Sequence, residues 1–252
     1  RRTGRVSDVL APVLAIEPLG ALEVGLDPIV HRFVADLETK DPITRDHVVR
    51  TAELAVHIGA ELGLGATALR RIGLTAILHD VGKLEVPDEI LNKPGRLTDA
   101  EFDIIRGHSV QGERLVASSP ALAEIAAGVR GHHERVDGAG YPDGLAGNAI
   151  PHDARVVAVC DAFDAMANTR QYRDGMGRDK AIAILNEHAG SQWGPLVVAA
   201  LVTVIRRDPE LGRTVSALDR VGRGLDQATP PRVGCDCLPE PLLTASAGQG
   251  TF

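Results

Sequence analysis

The feature of this sequence that most constrains its fold is a set of helical apolar stripes that end on potential metal ligands. Leu69, Ile72 and Ala76 recur on one helix face, and their stripe ends on His79. Further inward positions on other helical stretches are His47, His108, His132, His133 and Asp161. Imidazoles and carboxylates in a core need partners, and a metal ion can satisfy several at once. The sequence therefore predicts an all-α bundle with a metal site in its core.

Each of these residues has a simpler interpretation when it is taken alone. The dipeptide His79-Asp80 could be a solvated helix end, and a single inward histidine is more often a hydrogen-bonded core residue. Five histidines and two aspartates on predicted inward faces are difficult to explain in that way. A mixed set of this kind is suited to manganese, iron or zinc, and a carboxylate can bridge two ions.

Composition narrows the class of protein further. The chain has 252 residues, of which 44% are hydrophobic and 3% aromatic, and this predicts one main helical domain. A net charge of −7 argues against a nucleic-acid polymer as partner but allows a small anionic substrate. Three cysteines are too few for a disulfide framework, so we expect a cytoplasmic location. The apolar run 196–205 is too short to span a membrane.

Three segments are expected along the chain. Residues 1–27 form an N-terminal lead-in segment and residues 28–210 form the main domain. In residues 211–252, Gly, Pro, Ser and Thr accumulate without periodicity, which predicts a flexible C-terminal extension. Its two thiols, Cys235 and Cys237, are too few for a closed zinc site. Because the chain begins Arg-Arg without a methionine, an upstream sensor domain stays open.

Four motifs make the sequence recognisable. They are HDVGK at 79–83, VPDEILNKPGRLT at 86–98, HHERVDGAGYPDGL at 132–145 and RVVAVCDAFDAMANTRQYR at 155–173. Over residues 28–206 the chain resembles the HD-GYP family, a subset of the HD superfamily of metal-dependent phosphohydrolases. The resemblance implies an HD-type helical bundle that acts as a phosphodiesterase on cyclic dinucleotides such as cyclic di-GMP.

The resemblance also implies a role for each candidate ligand. One divalent ion would be held by His47, His79, Asp80 and Asp161. A second would be held by His108, His132 and His133, with Asp80 bridging the two ions. A water with lowered pKa would become a metal-activated hydroxide that attacks phosphorus in line. Lys83 would stabilise the charge developing on the phosphate, so Asp80 and Lys83 are the predicted catalytic residues.

Three further residues are predicted to bind substrate. Tyr141 lies in the loop 137–142, which resembles the GYP signature of the family, although Gly and Pro also mark ordinary surface turns. Arg170 and Arg173 match positions at which the family binds the substrate's phosphate groups. Solvated surface charge is the simpler interpretation of these two arginines.

The expected number of ions follows from one departure from the family pattern. Some members carry a glutamate four residues before the first histidine, where it ligates a third metal, and this chain has Ile43 at that position. An aliphatic side chain cannot bind a metal. We therefore expect two divalent ions per chain, with iron or manganese favoured and zinc or another ion as the alternative.

The sequence leaves three functions open. The first is hydrolysis of cyclic di-GMP to linear pGpG, to GMP, or to both. The second is a catalytically weak signalling module that binds nucleotide or a partner. A homodimer stays open with any of these functions. The third is a phosphohydrolase for another cyclic dinucleotide, because base choice depends on pocket walls that the sequence does not locate.

Overall fold

The structure, a computed structural model, describes residues 28–41, 44–168 and 175–212. The α-helices in these ranges are α1 Pro28–Lys40, α2 Thr44–Glu61, α3 Ala66–Leu78, α4 Asp88–Leu91, α5 Asp99–Arg106, α6 His108–Ala117, α7 Ala126–Gly131, α8 His152–Ala167, α9 Arg178–Glu187 and α10 Pro195–Arg207. Short 3-10 segments are Val81–Glu85, Ala123–Ile125 and Gly147–Ala149. Extended pairing in this part of the chain is limited to two isolated bridges. The predicted all-α bundle is confirmed.

Helices α2, α3 and α8 form the centre of the bundle. Helix α2 packs against α3, α8 and α10, and α8 also contacts α3, α7 and α9. Large apolar side chains such as Leu54, Ile72, Ile77 and Phe163 are fully buried between these helices. Burial of each side chain of this size stabilises the fold by about 1.5–3 kcal/mol. The helices that carry His47 and Asp161, and the helix that ends just before His79, therefore lie in a well-packed core.

Helix ends match the sequence patterns in part. The pattern Thr98-Asp-Ala-Glu101 predicts a capping box, and the structure confirms it at the start of α5. The Thr98 side chain and the Glu101 side chain each bond the other residue's backbone N–H. The sequence also allows Thr67 to cap α3, but this prediction is wrong, because α3 begins at Ala66 and Gly65 precedes it. The apolar pattern from Phe102 to Leu115 predicts one helix after Thr98, but the structure divides it into α5 and α6 at Gly107.

Helix α10 includes the apolar run 196–205 and packs against α2, α8 and α9, so this run is a core helix as expected. Among the described residues, no helix has both the length and the apolar character needed to cross a membrane. The predicted lead-in segment 1–27 lies outside the described residues, as does the C-terminal extension apart from 211–212.

Candidate metal centre

The dipeptide His79-Asp80 lies where α3 gives way to the 3-10 segment Val81–Glu85. Gly82 is needed in this segment for a steric reason. A Cβ at that position would lie 1.8 Å from the carbonyl oxygen of His108. The backbone after Asp80 therefore packs directly on the start of α6, which brings the Asp80 carboxylate between the histidines of α3 and α6.

Helices α2 and α3 bring together a first group of ligands, His47, His79 and Asp80, which we call the His47 cluster. The Nε2 atoms of His47 and His79 lie 3.4 Å apart, and Asp80 Oδ2 is 3.3 Å from His79 Nε2. One ligand atom from each residue lies within 4.8 Å of the others, so the three could hold one ion. Asp161 Oδ1 is 3.4 Å from His47 Nε2 but lies outside this mutually close set.

A second group, the His108 cluster, contains Asp80, His108, His132 and His133. Its ligand atoms also lie within 4.8 Å of one another. Asp80 Oδ1 is 3.5 Å from His108 Nε2, and the Nε2 atoms of His108 and His132 are 3.2 Å apart. Asp80 thus belongs to both clusters, with one carboxylate oxygen directed to each.

Three histidines of the centre are oriented in the same way. His79, His108 and His132 each donate Nδ1–H to the backbone carbonyl three residues earlier, at 2.7, 2.7 and 2.6 Å. A carbonyl only accepts, so each ring carries a proton on Nδ1 and directs Nε2 to the centre. The Nε2 lone pairs of His108 and His132 therefore face each other, and a cation between them would relieve their repulsion. This donor set fits a divalent metal.

The two clusters differ in electrostatics. Burial lowers the pKa of His108 to about 4, and burial together with neighbouring histidines lowers the pKa of His132 and His133 well below its usual value. Burial also lowers the pKa of His79, but the charge and hydrogen bond of Asp80 outweigh it and raise that pKa to about 9. For Asp80, burial raises the pKa, but nearby cations outweigh burial and hold it well below its usual value.

Lys83 is buried beside the shared carboxylate. Its Nζ donates to Asp80 Oδ2 at 2.7 Å. Lys40, at the end of α1, donates to the carbonyl oxygen of Leu84 at 2.7 Å and so ties α1 to the segment that carries Lys83. A rigidly held ammonium next to Asp80 is suited to contact an anion bound at the centre.

Asp164 lies behind His47 and is not among the residues predicted from the sequence. Its Oδ2 accepts the Nδ1–H of His47 at 2.7 Å, while Arg50 and Asn168 donate to the same carboxylate. Burial raises the pKa of Asp164, but the hydrogen bonds from His47 and Arg50 outweigh burial and leave that pKa below its usual value. The spacing of three residues from Asp161, on one face of α8, is the sequence signal that could have identified it.

Glu134 is a second residue that the sequence patterns did not single out. It is buried, and its two oxygens accept the backbone N–H groups of Asp143 and Leu145 at 2.7 and 2.9 Å. Gly140 approaches so closely that a Cβ there would lie 2.5 Å from the Cα of Glu134. These contacts hold residues 137–146, the GYP loop, against the residue that follows His133.

The predicted substrate-binding residue Tyr141 contacts the His108 cluster directly. Its ring stacks on His133 with 4.8 Å between ring centroids and 29° between the planes. The guanidinium of Arg106 lies 4.7 Å from the centroid of the Tyr141 ring. The other residues on which predictions rest, Arg170, Arg173 and Ile43, lie outside the described residues.

A helical bundle whose core holds two adjoining His/Asp clusters defines this chain as a metal-centre domain of the HD type. Residues 34–197 match the family model described as HD domain, and the chain therefore belongs to the HD-domain family. Relatives named cyclic di-GMP phosphodiesterases are consistent with the HD-GYP type that the motifs predict. The matched residues lie inside the predicted domain 28–210, whose exact limits stay a prediction.

The chain is similar to several curated proteins and solved structures. It is 39% identical over 197 residues to the cyclic di-GMP phosphodiesterase PA4108 of Pseudomonas aeruginosa, covering 75% of this chain and 47% of that protein. It is 36% identical over 149 residues to the 3'3'-cGAMP-specific phosphodiesterase 1 of Vibrio cholerae, covering 59% of this chain and 35% of that protein.

The fold is similar to the crystal structure of the cyclic GMP-AMP specific phosphodiesterase V-cGAP3 of V. cholerae, with a TM-score of 0.56 and 19% identity. That match covers 75% of this chain and 51% of the solved chain. At this identity the likeness concerns the fold alone. The chain spans about half the length, or less, of the curated relatives it matches.

Proposed function

We propose that this domain is a metal-dependent phosphodiesterase that hydrolyses cyclic di-GMP. The observation that carries the proposal is the shared carboxylate of Asp80, whose two oxygens face separate histidine clusters. Such an arrangement suits two neighbouring ions on one phosphodiester. Relatives named cyclic di-GMP phosphodiesterases support the choice of substrate.

The proposed ligands would divide between two ions, and Asp80 would belong to both ligand sets. The first ion would use His47, His79 and Asp161, and the second would use His108, His132 and His133. When bound, divalent ions would act as Lewis acids and would make a hydroxide available near neutral pH. The absence of a ligating side chain at Ile43 supports two ions rather than three.

Protein groups would supply orientation and charge. The neutral imidazoles of His108 and His132 keep their Nε2 lone pairs directed to the centre through Nδ1–H bonds to the backbone. The ammonium of Lys83, fixed beside Asp80, would stabilise negative charge on the scissile phosphate. Tyr141 would form one wall for the substrate, and Arg170 and Arg173 would bind its phosphate groups.

A second candidate is hydrolysis of a mixed cyclic dinucleotide. The similarity to 3'3'-cGAMP-specific phosphodiesterases favours it. Groups that bind metal and phosphate do not by themselves select a base. The purine bases would be distinguished by pocket walls away from the centre. A catalytically weak binding module is the remaining alternative.

The test is a direct assay on protein loaded anaerobically with iron or with manganese. Cyclic di-GMP and 3'3'-cGAMP are compared by kcat/KM, and products are separated to distinguish pGpG from GMP. We expect turnover of cyclic di-GMP at the higher kcat/KM. A preference for 3'3'-cGAMP would favour the second candidate, and tight binding with no product under any metal would contradict an enzyme.

A further inference from the structure

Helix α8 carries two buried aspartates that are each held by an arginine from another helix. Arg50 of α2 donates to Asp164 through Nε at 2.5 Å and Nη2 at 3.0 Å. Arg71 of α3 donates to Asp153 with the same geometry, at 2.5 and 3.0 Å. The two pairs are separated by 11 residues, or about 16 Å along the helix. Each pair joins α8 to a neighbouring helix, and the pair with Arg50 is buried whereas the pair with Arg71 is partly buried.

Only the first of these two pairs touches the His47 cluster. Asp164 Oδ2 accepts the Nδ1–H of His47 at 2.7 Å, and Oδ1 accepts a hydrogen bond from Asn168 at 2.8 Å. The carboxylate accepts at both oxygens, so it requires the proton of His47 to be on Nδ1. Nε2 of His47 then carries a lone pair, and it lies 3.4 Å from both His79 Nε2 and Asp161 Oδ1.

His47 therefore differs from the three histidines that bond to backbone carbonyls. A charged carboxylate binds an imidazole N–H more strongly than a neutral carbonyl does and increases the basicity of the other ring nitrogen. We propose that Asp164, held by Arg50, is a positioning residue that fixes the tautomer of His47 and so sets the metal affinity of the His47 cluster alone. This inference rests on the proposed metal centre but not on the identity of the substrate.

The isosteric substitution Asp164→Asn tests the tautomer of His47, because it replaces one accepting oxygen of the carboxylate by a donating amide nitrogen. If the amide nitrogen replaces Oδ1, it meets two donors, Arg50 Nε and Asn168 Nδ2. If it replaces Oδ2, it meets one fixed donor, Arg50 Nη2, and the ring of His47. The second orientation has fewer conflicts, and in it the amide donates to Nδ1 of His47. The ring proton must then move to Nε2, where it blocks metal binding.

The experiment is a Mn²⁺ titration of the whole chain, with free Mn²⁺ followed by electron paramagnetic resonance. Wild-type protein should bind two ions. Asp164→Asn should weaken one of them about 10- to 100-fold and leave the other within about threefold. The control is Asp153→Asn, which lies on the same helix as Asp164 and disrupts the equivalent pair with Arg71 of α3. This control should leave both ions bound as in wild type.

A second readout does not depend on metal. Nitrogen NMR of the imidazoles in metal-free wild-type protein should show His47 protonated on Nδ1, and Asp164→Asn should move that proton to Nε2. Three results would overturn the inference: a wild-type His47 protonated on Nε2, equal weakening of both ions, or equal weakening by Asp153→Asn. Failure of cyclic di-GMP hydrolysis would contradict the proposed function and would leave these results unaffected, whereas a wild-type chain that binds no Mn²⁺ would contradict both.

Discussion

The two clusters that share Asp80 use the same residue types, but His79 in one cluster and His108 in the other have opposite tendencies to hold a proton. In the His47 cluster, Asp80 raises the pKa of His79 to about 9. In the His108 cluster, burial lowers the pKa of His108 to about 4, and the pKa values of its two neighbours are lowered as well. The groups behind the rings also differ, because a carboxylate lies behind His47 and a carbonyl behind His108.

One carboxylate can therefore be shared by two metal positions whose histidines differ in protonation. The histidines of the His108 cluster are already neutral near pH 7, and the Nε2 lone pairs of His108 and His132 are available. In the His47 cluster a metal must displace a proton from His79. We therefore expect the two positions to differ in pH dependence and in sensitivity to mutation, although they lie side by side.

The largest expected effect comes from the residue that the clusters share. Asp80→Ala should lower kcat/KM for cyclic di-GMP by about 1000-fold or more, about 4 kcal/mol in the activation barrier, and should lower the binding of both ions. His108→Ala should weaken mainly the ion of its own cluster. Activity and metal content measured together separate these outcomes, with the exposed Asp36→Ala as control. Normal turnover by Asp80→Ala would refute the shared-ligand assignment.

The next effect in size is a pH dependence confined to one cluster. Below about pH 9, His79 of the metal-free protein is protonated, and a metal ion has to compete with that proton. The Mn²⁺ affinity of the His47 cluster should therefore increase with pH, by up to about tenfold per pH unit, and should level off above pH 9. The His108 cluster should bind with constant affinity between pH 6 and 8, because its histidines are neutral throughout that range, given the pKa of about 4 for His108. Mn²⁺ titrations at several pH values measure both. If the Mn²⁺ affinities of the two clusters changed with pH in the same way, the predicted difference between the clusters would be wrong.

A smaller effect is expected from the GYP loop, which contacts the His108 cluster through the stacking of Tyr141 on His133. Glu134→Gln replaces an acceptor of the Asp143 or Leu145 backbone N–H by a donor. The unpaired N–H should cost about 1–2 kcal/mol and loosen the loop that carries Tyr141. We expect KM for cyclic di-GMP to rise about tenfold while metal content stays unchanged.

The matched control for the loop is Glu124→Gln, at a half-exposed acid paired with Arg70. This change should leave KM within about twofold of wild type. If Glu134→Gln changes metal binding by the His47 cluster but not KM, the loop does not act through the substrate.

Much of the centre could be predicted from local patterns. The apolar stripe that ends on His79, and the pair His132-His133, point inward because helical periodicity requires it. The capping box at Thr98 is equally local. By contrast, Gly107 divides a continuous helical pattern, and a glycine in such a pattern does not by itself indicate whether the helix ends.

The residues that sequence patterns did not single out act over long separations. Asp164 bonds to His47 across 117 positions in the chain, and no periodicity on α8 indicates which helix it faces. Glu134 bonds to backbone groups of a loop whose path is fixed only after folding. In physical terms, a residue that ligates a metal can be identified by its type, whereas a residue that orients a ligand is identified by its partner.

The central claim, two ions joined by one carboxylate, is tested most directly by counting metals. Elemental analysis of anaerobically prepared wild-type protein, after removal of unbound ions, gives the number of ions per chain. We predict two per chain in wild type and a loss of both when Asp80 is replaced by alanine. A count of one or of three in wild type, or two ions retained in Asp80→Ala, would contradict the shared centre.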